Sequence, residues 1–487
     1  MKVVFAFPPL EGEGTPLIGQ NRQFQWFHNP TVLYPVVPAT AATYLKESGH
    51  AVEWADGIVE RMSYDEYIKK LEGIIPDLIV IETKTPVVKQ HWRIINDIKK
   101  RMNTRVVIVG DHVTAMPKET MENCRIDFII QGGYYDAALP DLVSAIEGKG
   151  SYPPNVWYRE NSEIKTTGYK EPDLDLDSLP MIDRDLTNWS VYGEHLYKMA
   201  RPFPYIMSGR DCFWGKCTFC SWTTLYKKFR SRSPENVLDE IGMLIDKYKV
   251  KAVFDDSGTF PPGAFLKEFC RGMIERGYNK KIRLTCNMRF GVLDFDTMKL
   301  MRKANFRLMK FGLESVNQST LDRINKNLEV EQIVEDCKKM KKADIEVHIT
   351  IMIGYPWETR EDAEKTLKMA KYLMSRGLAS TLQVTTLIAY PGTPLYKEAV
   401  ENDWLRVGKD EYERFDMTEP IFKLPDMEPA EVMQICENIY KLFLSPLYLF
   451  HLLLKTRSLA EVKYLFNGIR PLFGHILDFK RRPETRE

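Results

Sequence analysis

The feature that most constrains the fold of this chain is a repeated alternation of short apolar runs with helical segments. In the first part of the chain, five such runs occupy residues 2–7, 51–56, 77–83, 105–112 and 126–133. Continuous Val/Ile runs separated by helices are typical of a parallel sheet that is covered on both faces. We therefore predict that residues 1–150 form a doubly wound α/β domain, with its ligand beyond the carboxyl ends of the strands.

A second series of six runs follows at residues 204–209, 251–256, 281–287, 308–315, 347–356 and 381–391. Six βα repeats over residues 193–400 favour a partial (β/α)6 barrel, with its chemistry at the carboxyl ends of the strands. Residues 151–192 are rich in Pro and Asp and poor in periodicity, which predicts a linker. Residues 401–487 are predicted to form a C-terminal helical region.

The charge balance bears on the kinds of partner that the chain can have. It holds 68 Lys and Arg residues against 67 Asp and Glu residues, so no long-range positive field exists to attract nucleic acid. The first apolar run ends at a Pro pair and is too short for a signal peptide or a membrane span. These observations predict a cytoplasmic protein without a nucleic-acid partner.

The C-terminal region contains the apolar run LFLSPLYLFHLLL, which Pro446 interrupts. The run is too short to span a bilayer. One interpretation is a set of helices that pack against the barrel or cap its mouth. The alternative is an amphipathic contact with a membrane surface or an apolar substrate.

Three cysteines, Cys212, Cys217 and Cys220, lie within nine positions directly after the first barrel strand. The other five are scattered singly, which is unlike a secreted disulfide framework. A structural zinc site needs four ligands, and neither a second cysteine pair nor a histidine lies near this cluster. Three thiolates with one open coordination position suit a catalytic [4Fe–4S] cluster. The alternative is a structural zinc ion or unliganded thiols.

The spacing C-x4-C-x2-C, with Phe219 before the last cysteine, resembles the signature of the radical S-adenosylmethionine (SAM) enzymes. That signature is usually C-x3-C-x2-C with an aromatic residue at the position of Phe219. The one extra residue between Cys212 and Cys217 leaves the path of the loop open. The resemblance implies that the three cysteines bind a [4Fe–4S] cluster, whose fourth iron binds the amino and carboxylate groups of SAM.

The same resemblance implies SAM contacts at the ends of three later strands. They are Asp255, Asp256 and Ser257 in FDDSGTF for the amino group, Asn287 and Arg289 in CNMRF for the carboxylate or ribose, and Glu314 in FGLES. Taken singly, each has an ordinary alternative, since the Asp pair could cap a helix and Glu314 could form an ion pair. Their order along the chain and their shared position at strand ends favour the cofactor interpretation.

One large subgroup of the family carries an N-terminal cobalamin-binding domain of doubly wound type. In this chain, Gly110, Gly132 and Gly133 would let the backbone approach a flat corrin. The motif D-x-H-x-x-G, which supplies a histidine ligand to cobalt, is absent. His112 is therefore interpreted as a structural or phosphate-side residue rather than a cobalt ligand. A domain that has lost its corrin and serves as a scaffold is the alternative.

The run from Cys217 onward and the Pro-interrupted C-terminal segment are most similar to one branch of the family. That branch holds the anaerobic magnesium-protoporphyrin monomethyl ester cyclase, bacteriochlorophyll side-chain methyltransferases and the hopanoid-associated HpnJ. It implies reductive cleavage of SAM and modification of an unactivated carbon of a large apolar or lipid-like substrate. The reaction would be methyl transfer, cyclisation or ring rearrangement, with electrons from a flavodoxin or ferredoxin. The competing hypothesis is a corrinoid-binding or Fe–S scaffold or sensor without SAM turnover.

Overall fold

The first half of the chain forms a seven-stranded sheet between two layers of helices. A computed structural model describes residues 1–12, 14–18, 24–27, 32–193 and 203–455. The strands of this half are β1 (Lys2–Phe7), β2 (Thr15–Pro16), β3 (Trp26–Phe27), β4 (Ala51–Asp56), β5 (Leu78–Thr83), β6 (Arg105–Gly110), β7 (Phe128–Ile130), β8 (Val156–Glu160) and β9 (Glu163–Thr166). Its helices are α1 (Val36–Glu47), α2 (Tyr64–Ile74), α3 (Val88–Arg101), α4 (Asp111–Ala115), α5 (Pro117–Asn123) and α6 (Tyr135–Ile146).

The sheet has the strand order β4-β1-β5-β6-β7-β8-β9 and is parallel from β4 to β7. Helices α1 and α6 cover one face, while α2, α3 and α5 cover the other. The strands between these layers are almost wholly buried, which explains their continuous Val and Ile runs. The predicted doubly wound parallel sheet is confirmed.

The sheet continues into the stretch for which the sequence predicts a linker. Strands β8 and β9 form an antiparallel hairpin on its edge. Asn161 and Ser162 join them with φ values of 50° and 69°, as a two-residue hairpin turn requires. The hairpin is missed because its strands are short and only one of their nine residues is buried, so their alternation is weak. The domain limits inferred from the sequence stay predictions.

The second half forms a six-stranded parallel sheet with helices on its outer face. Its strands are β10 (Tyr205–Ile206), β11 (Gly209–Arg210), β12 (Arg230–Ser231), β13 (Ala252–Asp255), β14 (Arg283–Met288), β15 (Phe306–Glu314), β16 (Glu346–Ile353) and β17 (Thr381–Thr386). Its helices are α7 (Trp222–Leu225), α8 (Pro234–Asp246), α9 (Ala264–Glu275), α10 (Phe295–Lys303), α11 (Gln318–Arg323), α12 (Val330–Lys342), α13 (Arg360–Ser375), α14 (Pro394–Glu401), α15 (Pro429–Tyr440) and α16 (Pro446–Lys455).

The strand order β10-β13-β14-β15-β16-β17 follows the sequence, as in a (β/α) barrel, and β11 pairs separately with β12. Residues such as Val253, Leu284 and Met309 point outward and form one continuous core with the surrounding helices. The predicted partial barrel is confirmed, and its carboxyl-terminal edge lies where the cysteine loop begins.

The last described helices pack against the barrel. The Tyr440 hydroxyl donates to the Val384 carbonyl at 3.1 Å, and the Tyr448 hydroxyl donates to the Ser380 carbonyl at 3.0 Å. Within the predicted C-terminal region, helices α15 and α16 occupy residues 429–440 and 446–455, whereas residues 402–428 are mostly irregular, and residues 456–487 lie outside the described part. No helix among the described residues is long and apolar enough to cross a lipid bilayer.

Candidate active site

The cysteine loop, residues 211–221, leaves β11 at the carboxyl edge of the barrel sheet and ends at α7. Two backbone hydrogen bonds fix its centre, from the Thr218 N–H to the Ile324 carbonyl and from the Leu395 N–H to the Thr218 carbonyl, both at 3.0 Å. The Trp214 indole donates to the Asn325 carbonyl at 2.7 Å. The loop is therefore held by two separate segments of the barrel, at residues 324–325 and at Leu395.

A tight turn accommodates the extra residue between the first two cysteines. Gly215 has a φ of 55°, in the left-handed region that glycine adopts at little cost. Its Cβ position lies 3.4 Å from the Cys212 carbonyl oxygen, so the chain folds back on itself there. This turn lies between Cys212 and Cys217, so the longer spacing is accommodated before the chain reaches Cys217.

The three thiols have different surroundings. Cys212 is half-buried, with its Sγ 3.0 Å from the Thr259 hydroxyl, and Cys217 is buried, with its Sγ 4.0 Å from Arg289 Nη1. The Cys220 N–H donates to the Cys217 carbonyl at 3.3 Å. Burial raises the pKa of the Cys217 thiol, while the charges of Lys326 and Arg289 oppose that shift.

Gly258 allows the cysteine loop to lie against the end of β13. A Cβ atom there would stand 2.7 Å from the Cys212 backbone nitrogen, and backbone cannot move aside cheaply. We expect Gly258→Ala to displace the loop, to cost about 1–3 kcal/mol of stability and to lower the iron content of the reconstituted protein. Gly73→Ala is the matched control, because nothing lies within 4 Å of that Cβ position. Equal iron content in the two variants would contradict the expectation.

The acidic stretch at the end of β13 forms hydrogen bonds to the segment that leads into the loop. Asp255 is buried and accepts hydrogen bonds from the backbone N–H groups of Ser208 at 2.9 Å and Ser257 at 3.0 Å. The Ser257 hydroxyl accepts from the Gly209 N–H at 2.9 Å. Burial raises the pKa of Asp255, although these hydrogen bonds oppose it. Both residues therefore position the segment that leads into the cysteines.

Asp256 and Asn287 form the next layer of this edge. Asn287 Nδ2 donates to Asp256 Oδ1 at 3.3 Å and to the Ser257 carbonyl at 2.9 Å. The side chain of Phe219 packs in a separate apolar cluster that also contains Tyr355. The structure thus brings the predicted residues of β13, β14 and the cysteine loop to one edge, and their SAM contacts stay predictions.

A buried charged group lies beside Cys217. Glu314 Oε1 accepts from Lys326 Nζ at 2.7 Å, and Arg289 donates to the Lys326 carbonyl. All three residues are less than 9 % exposed. Lys326 could not be predicted as a site residue, because a single lysine between two helices belongs to no sequence motif.

Glu358 is a buried carboxyl at the turn after β16. One oxygen accepts the Gly354 N–H at 2.7 Å, and the other has no hydrogen-bond partner among the described residues. Burial raises the pKa of Glu358 to about 8, although the backbone hydrogen bonds oppose it. The folded chain therefore binds this proton more tightly than the unfolded chain does.

This carboxyl gives the fold a defined pH dependence. Because the folded chain binds this proton more tightly, protonation of Glu358 stabilises the fold. This stabilisation is complete below the unfolded pKa of about 4.3 and is lost as the pH rises toward 8. We expect Glu358→Gln to remove this slope, so that its stability relative to wild type rises by about 3 kcal/mol between pH 5 and 8. Urea midpoints across this range measure the effect, and parallel pH profiles for the two proteins would contradict it.

The carboxyl edge of the first sheet carries the residues predicted to approach a corrin. The Cβ position of Gly110, whose φ is 126°, lies 2.2 Å from the Thr83 carbonyl oxygen. That of Gly133 lies 2.2 Å from the Tyr226 ring, and that of Gly132 lies 3.5 Å from the Leu225 carbonyl. In this structure, Gly110 and Gly133 permit close packing between protein segments, and the corrin contacts of all three glycines stay predictions.

His112 is enclosed by protein groups. Its Nδ1 lies 3.3 Å from the Thr85 hydroxyl, and its Nε2 lies 3.6 Å from Glu119 Oε2. The Tyr412 ring packs edge-on at 4.5 Å, and its hydroxyl donates to Glu119 at 2.9 Å. These contacts suit the structural role that the sequence favours over a cobalt ligand.

The carboxyl edges of the two sheets meet. Arg210 Nη2 lies 2.6 Å from Asp136 Oδ2 in a buried ion pair, two residues before the first cluster cysteine. The Gly133 N–H donates to the Leu225 carbonyl at 3.0 Å. A ligand held at either edge would therefore lie close to the other.

Comparison with known proteins identifies the second half of the chain. Residues 206–370 match the radical SAM superfamily. The chain contains a radical SAM domain. A methyltransferase of Pyrococcus horikoshii, described as uncharacterized, is 26% identical over 90% of this chain and 92% of that protein. The anaerobic magnesium-protoporphyrin IX monomethyl ester cyclase of Cereibacter sphaeroides is 26% identical over 93% of this chain and 71% of that protein.

Two solved structures share the arrangement of both halves. TsrM from Kitasatospora setae, a radical SAM methyltransferase with cobalamin and a [4Fe–4S] cluster bound, matches with a TM-score of 0.69 and 16% identity over 98% of each chain. The cobalamin-dependent SAM radical enzyme OxsB matches with a TM-score of 0.70 and 14% identity over 98% of this chain and 72% of that one. This chain is an enzyme of the radical SAM type, as the sequence predicts.

The cysteine loop fits the cofactors of a radical SAM domain, which are a [4Fe–4S] cluster and SAM. Among the described residues, no three His, Cys, Asp or Glu side chains converge on a single metal ion. A cubane does not require this, because each thiolate binds a different iron. The buried hydroxyls of Thr218 and Tyr355 have no hydrogen-bond partner in the described structure. Three thiols beside unsatisfied hydroxyls suit a bound polar group.

Proposed function

We propose that this enzyme cleaves SAM reductively at a [4Fe–4S] cluster held by Cys212, Cys217 and Cys220. The observation that supports it most directly is the position of the three thiols at the carboxyl edge of a radical SAM barrel, next to polar strand ends. The substrate is proposed to be large and apolar, modified at an unactivated carbon. Methyl transfer, cyclisation and ring rearrangement all agree with this proposal, because a fold does not fix a substrate.

The second part of the proposal is that cobalamin binds between the two carboxyl edges. It is supported by the likeness to the TsrM and OxsB structures over 98% of the chain and by the contact between the edges. His112 is enclosed by Thr85, whose hydroxyl lies 3.3 Å from Nδ1, and by Glu119, whose Oε2 lies 3.6 Å from Nε2. We therefore propose a corrin without a protein imidazole on cobalt. When bound, the cluster would supply the electron that cleaves SAM; if the reaction is methyl transfer, cobalamin would supply the methyl group.

The chain's own residues would position and enclose these groups. Asp255 and Ser257 fix the entry to the cysteine loop, and Asp256, Asn287 and Glu314 are proposed to hold SAM. The buried Asp136–Arg210 pair ties the loop to the first sheet. Because the edges meet, water would be excluded from the reacting atoms. A low-potential flavodoxin or ferredoxin is the proposed electron donor.

Anaerobic reconstitution tests both parts. Iron, sulfide and corrin are quantified, and 5′-deoxyadenosine is measured after addition of SAM and a one-electron reductant. We expect about four iron atoms per chain, bound corrin and formation of 5′-deoxyadenosine. A cluster without SAM cleavage would contradict the enzyme proposal and favour an Fe–S scaffold. SAM cleavage by a protein that retains no added corrin would contradict the cobalamin part alone.

An exposed apolar face on α16 supports contact with lipid or a lipid-like substrate. Leu447 and Phe450 are 60 % and 57 % exposed, on the side opposite the Tyr448 contact. We propose that this face contacts a lipid surface peripherally. Sedimentation with phosphatidylcholine vesicles, with and without phosphatidylglycerol, tests it on the full chain. Leu447→Ser with Phe450→Ser should reduce binding, whereas the exposed Ile75→Ser should not. No binding by the wild-type protein would overturn the proposal.

A further inference from the structure

Lys326 is a buried cation between α11 and α12. It is 6 % exposed, and its Nζ donates to Glu314 Oε1 at 2.7 Å. An ammonium group is costly to bury unless it is paired, so the position needs its carboxylate partner. The lysine backbone is fixed as well, because its N–H donates to the Leu321 carbonyl at 2.8 Å. This pair is therefore a fixed part of the barrel edge.

The guanidinium of Arg289 is a second buried cation, and it lies beside Lys326 and Cys217. One end of its guanidinium donates to the Lys326 carbonyl, and Nη1 stands 4.0 Å from Cys217 Sγ. Its planar face lies 5.1 Å from the centre of the Trp214 ring. Contacts on three sides hold the guanidinium against the thiol. The predicted contact of Arg289 with the SAM carboxylate or ribose stays a prediction.

Glu314 lies at an irregular position of the barrel sheet. Its φ is 65°, and the sheet register shifts between Gly312 and Glu314. A Cβ atom on Gly312 would lie 2.2 Å from Glu314 Oε1 and 2.6 Å from Lys326 Nζ, so a larger residue there would force the two side-chain ends to shift. Two cations and one carboxylate thus share a buried volume beside Cys217, with one positive charge in excess.

We infer that Arg289, Lys326 and Glu314 set the reduction potential of the cluster through their charges. The inference rests on the proposed function, because it requires a cluster on Cys217. Reduction adds one electron, and therefore one negative charge, to the cluster. Nearby buried cations stabilise that charge and a nearby carboxylate opposes it. The two cations therefore raise the potential, and Glu314 lowers it.

A role limited to SAM binding makes a different prediction. If Arg289 and Glu314 acted only as SAM contacts, their replacement would change SAM affinity and leave the potential of the SAM-free cluster unchanged. If the three residues had only a structural role, their replacement would lower cluster content or stability. The direction of any shift in the reduction potential would then not follow the sign of the charge removed. The potential of the SAM-free cluster separates these roles.

The test is an EPR-monitored redox titration of the anaerobically reconstituted full chain without SAM. Lys326→Met and Arg289→Gln should each shift the potential to more negative values, and Glu314→Gln should shift it to more positive values. Lys326→Arg keeps the charge and should restore the wild-type potential. Lys247→Met, which removes an exposed cation from the end of α8, is the control and should leave it unchanged.

The outcomes distinguish this inference from the proposed function. Wild-type protein that assembles no [4Fe–4S] cluster would overturn both. A wild-type cluster whose potential stays unchanged in these variants, or moves in the same direction in Lys326→Met and Glu314→Gln, would overturn this inference alone. If Lys326→Met does not fold, Arg289→Gln removes a cation from the same group and must still shift the potential negative.

Discussion

Cys212→Ala, Cys217→Ala and Cys220→Ala will each abolish reductive SAM cleavage. A [4Fe–4S] cluster with an open iron uses three protein thiolates, so the loss of one leaves too few ligands to hold it in its catalytic form. We expect the formation of 5′-deoxyadenosine to fall at least about 1000-fold, since the chemistry belongs to the cofactor. Iron content and the EPR spectrum of the reduced protein report on the cluster itself.

Cys270→Ala and Cys337→Ala are the matched controls. Both thiols are buried in the outer core of the barrel, on α9 and α12, where burial raises the pKa of each to about 12. Such thiols act as small apolar side chains, so their loss should cost packing and leave SAM cleavage largely intact. A Cys212→Ala variant that retains cleavage would require another third ligand.

The fold could be predicted from the sequence because buried parallel strands leave a strong signal. Strand β1 covers the predicted residues 2–7, and β5 lies within the predicted residues 77–83; both strands are almost wholly buried. The edge hairpin of β8 and β9 could not be predicted in the same way, since half-exposed strands need only weak alternation. Its turn at Asn161 and Ser162 is the one local signal, because Asn tolerates positive φ.

The site could be predicted in part. The cysteines and the residues from Asp255 to Glu314 come to one edge because the carboxyl ends of parallel strands lie together. The order of the strands along the sequence is enough to predict this. Lys326 could not be found in this way, because its burial depends on the bulge at Glu314 and on tertiary packing. The glycines at the first edge show the same limit, since their neighbours come from distant segments.

A second buried charge network joins the chain's two halves. Glu240 on α8 accepts from Arg184 at 3.2 Å and also from Arg232. Arg184 is fully buried, donates to the Tyr205 carbonyl at 2.7 Å and lies over the Tyr34 ring. Burial disfavours the Glu240 carboxylate, but the two arginines outweigh it and hold the pKa of Glu240 below its usual value.

Glu240→Gln will therefore destabilise the chain strongly, by about 3–5 kcal/mol, because it leaves buried guanidinium groups without a counterion. Asp239→Asn on the same helix is the control; its side chain is 52 % exposed and pairs with Arg276 at the surface, so about 1 kcal/mol or less is expected. Urea midpoints of the full chain at pH 7 measure both.

Since the folded pKa of Glu240 is lowered, the contribution of its carboxylate to stability is present above the unfolded pKa of about 4.3 and is lost as the pH falls below that value. The difference between wild type and Glu240→Gln should accordingly shrink on acidification, and a difference independent of pH would show that packing, rather than charge, gives Glu240 its effect.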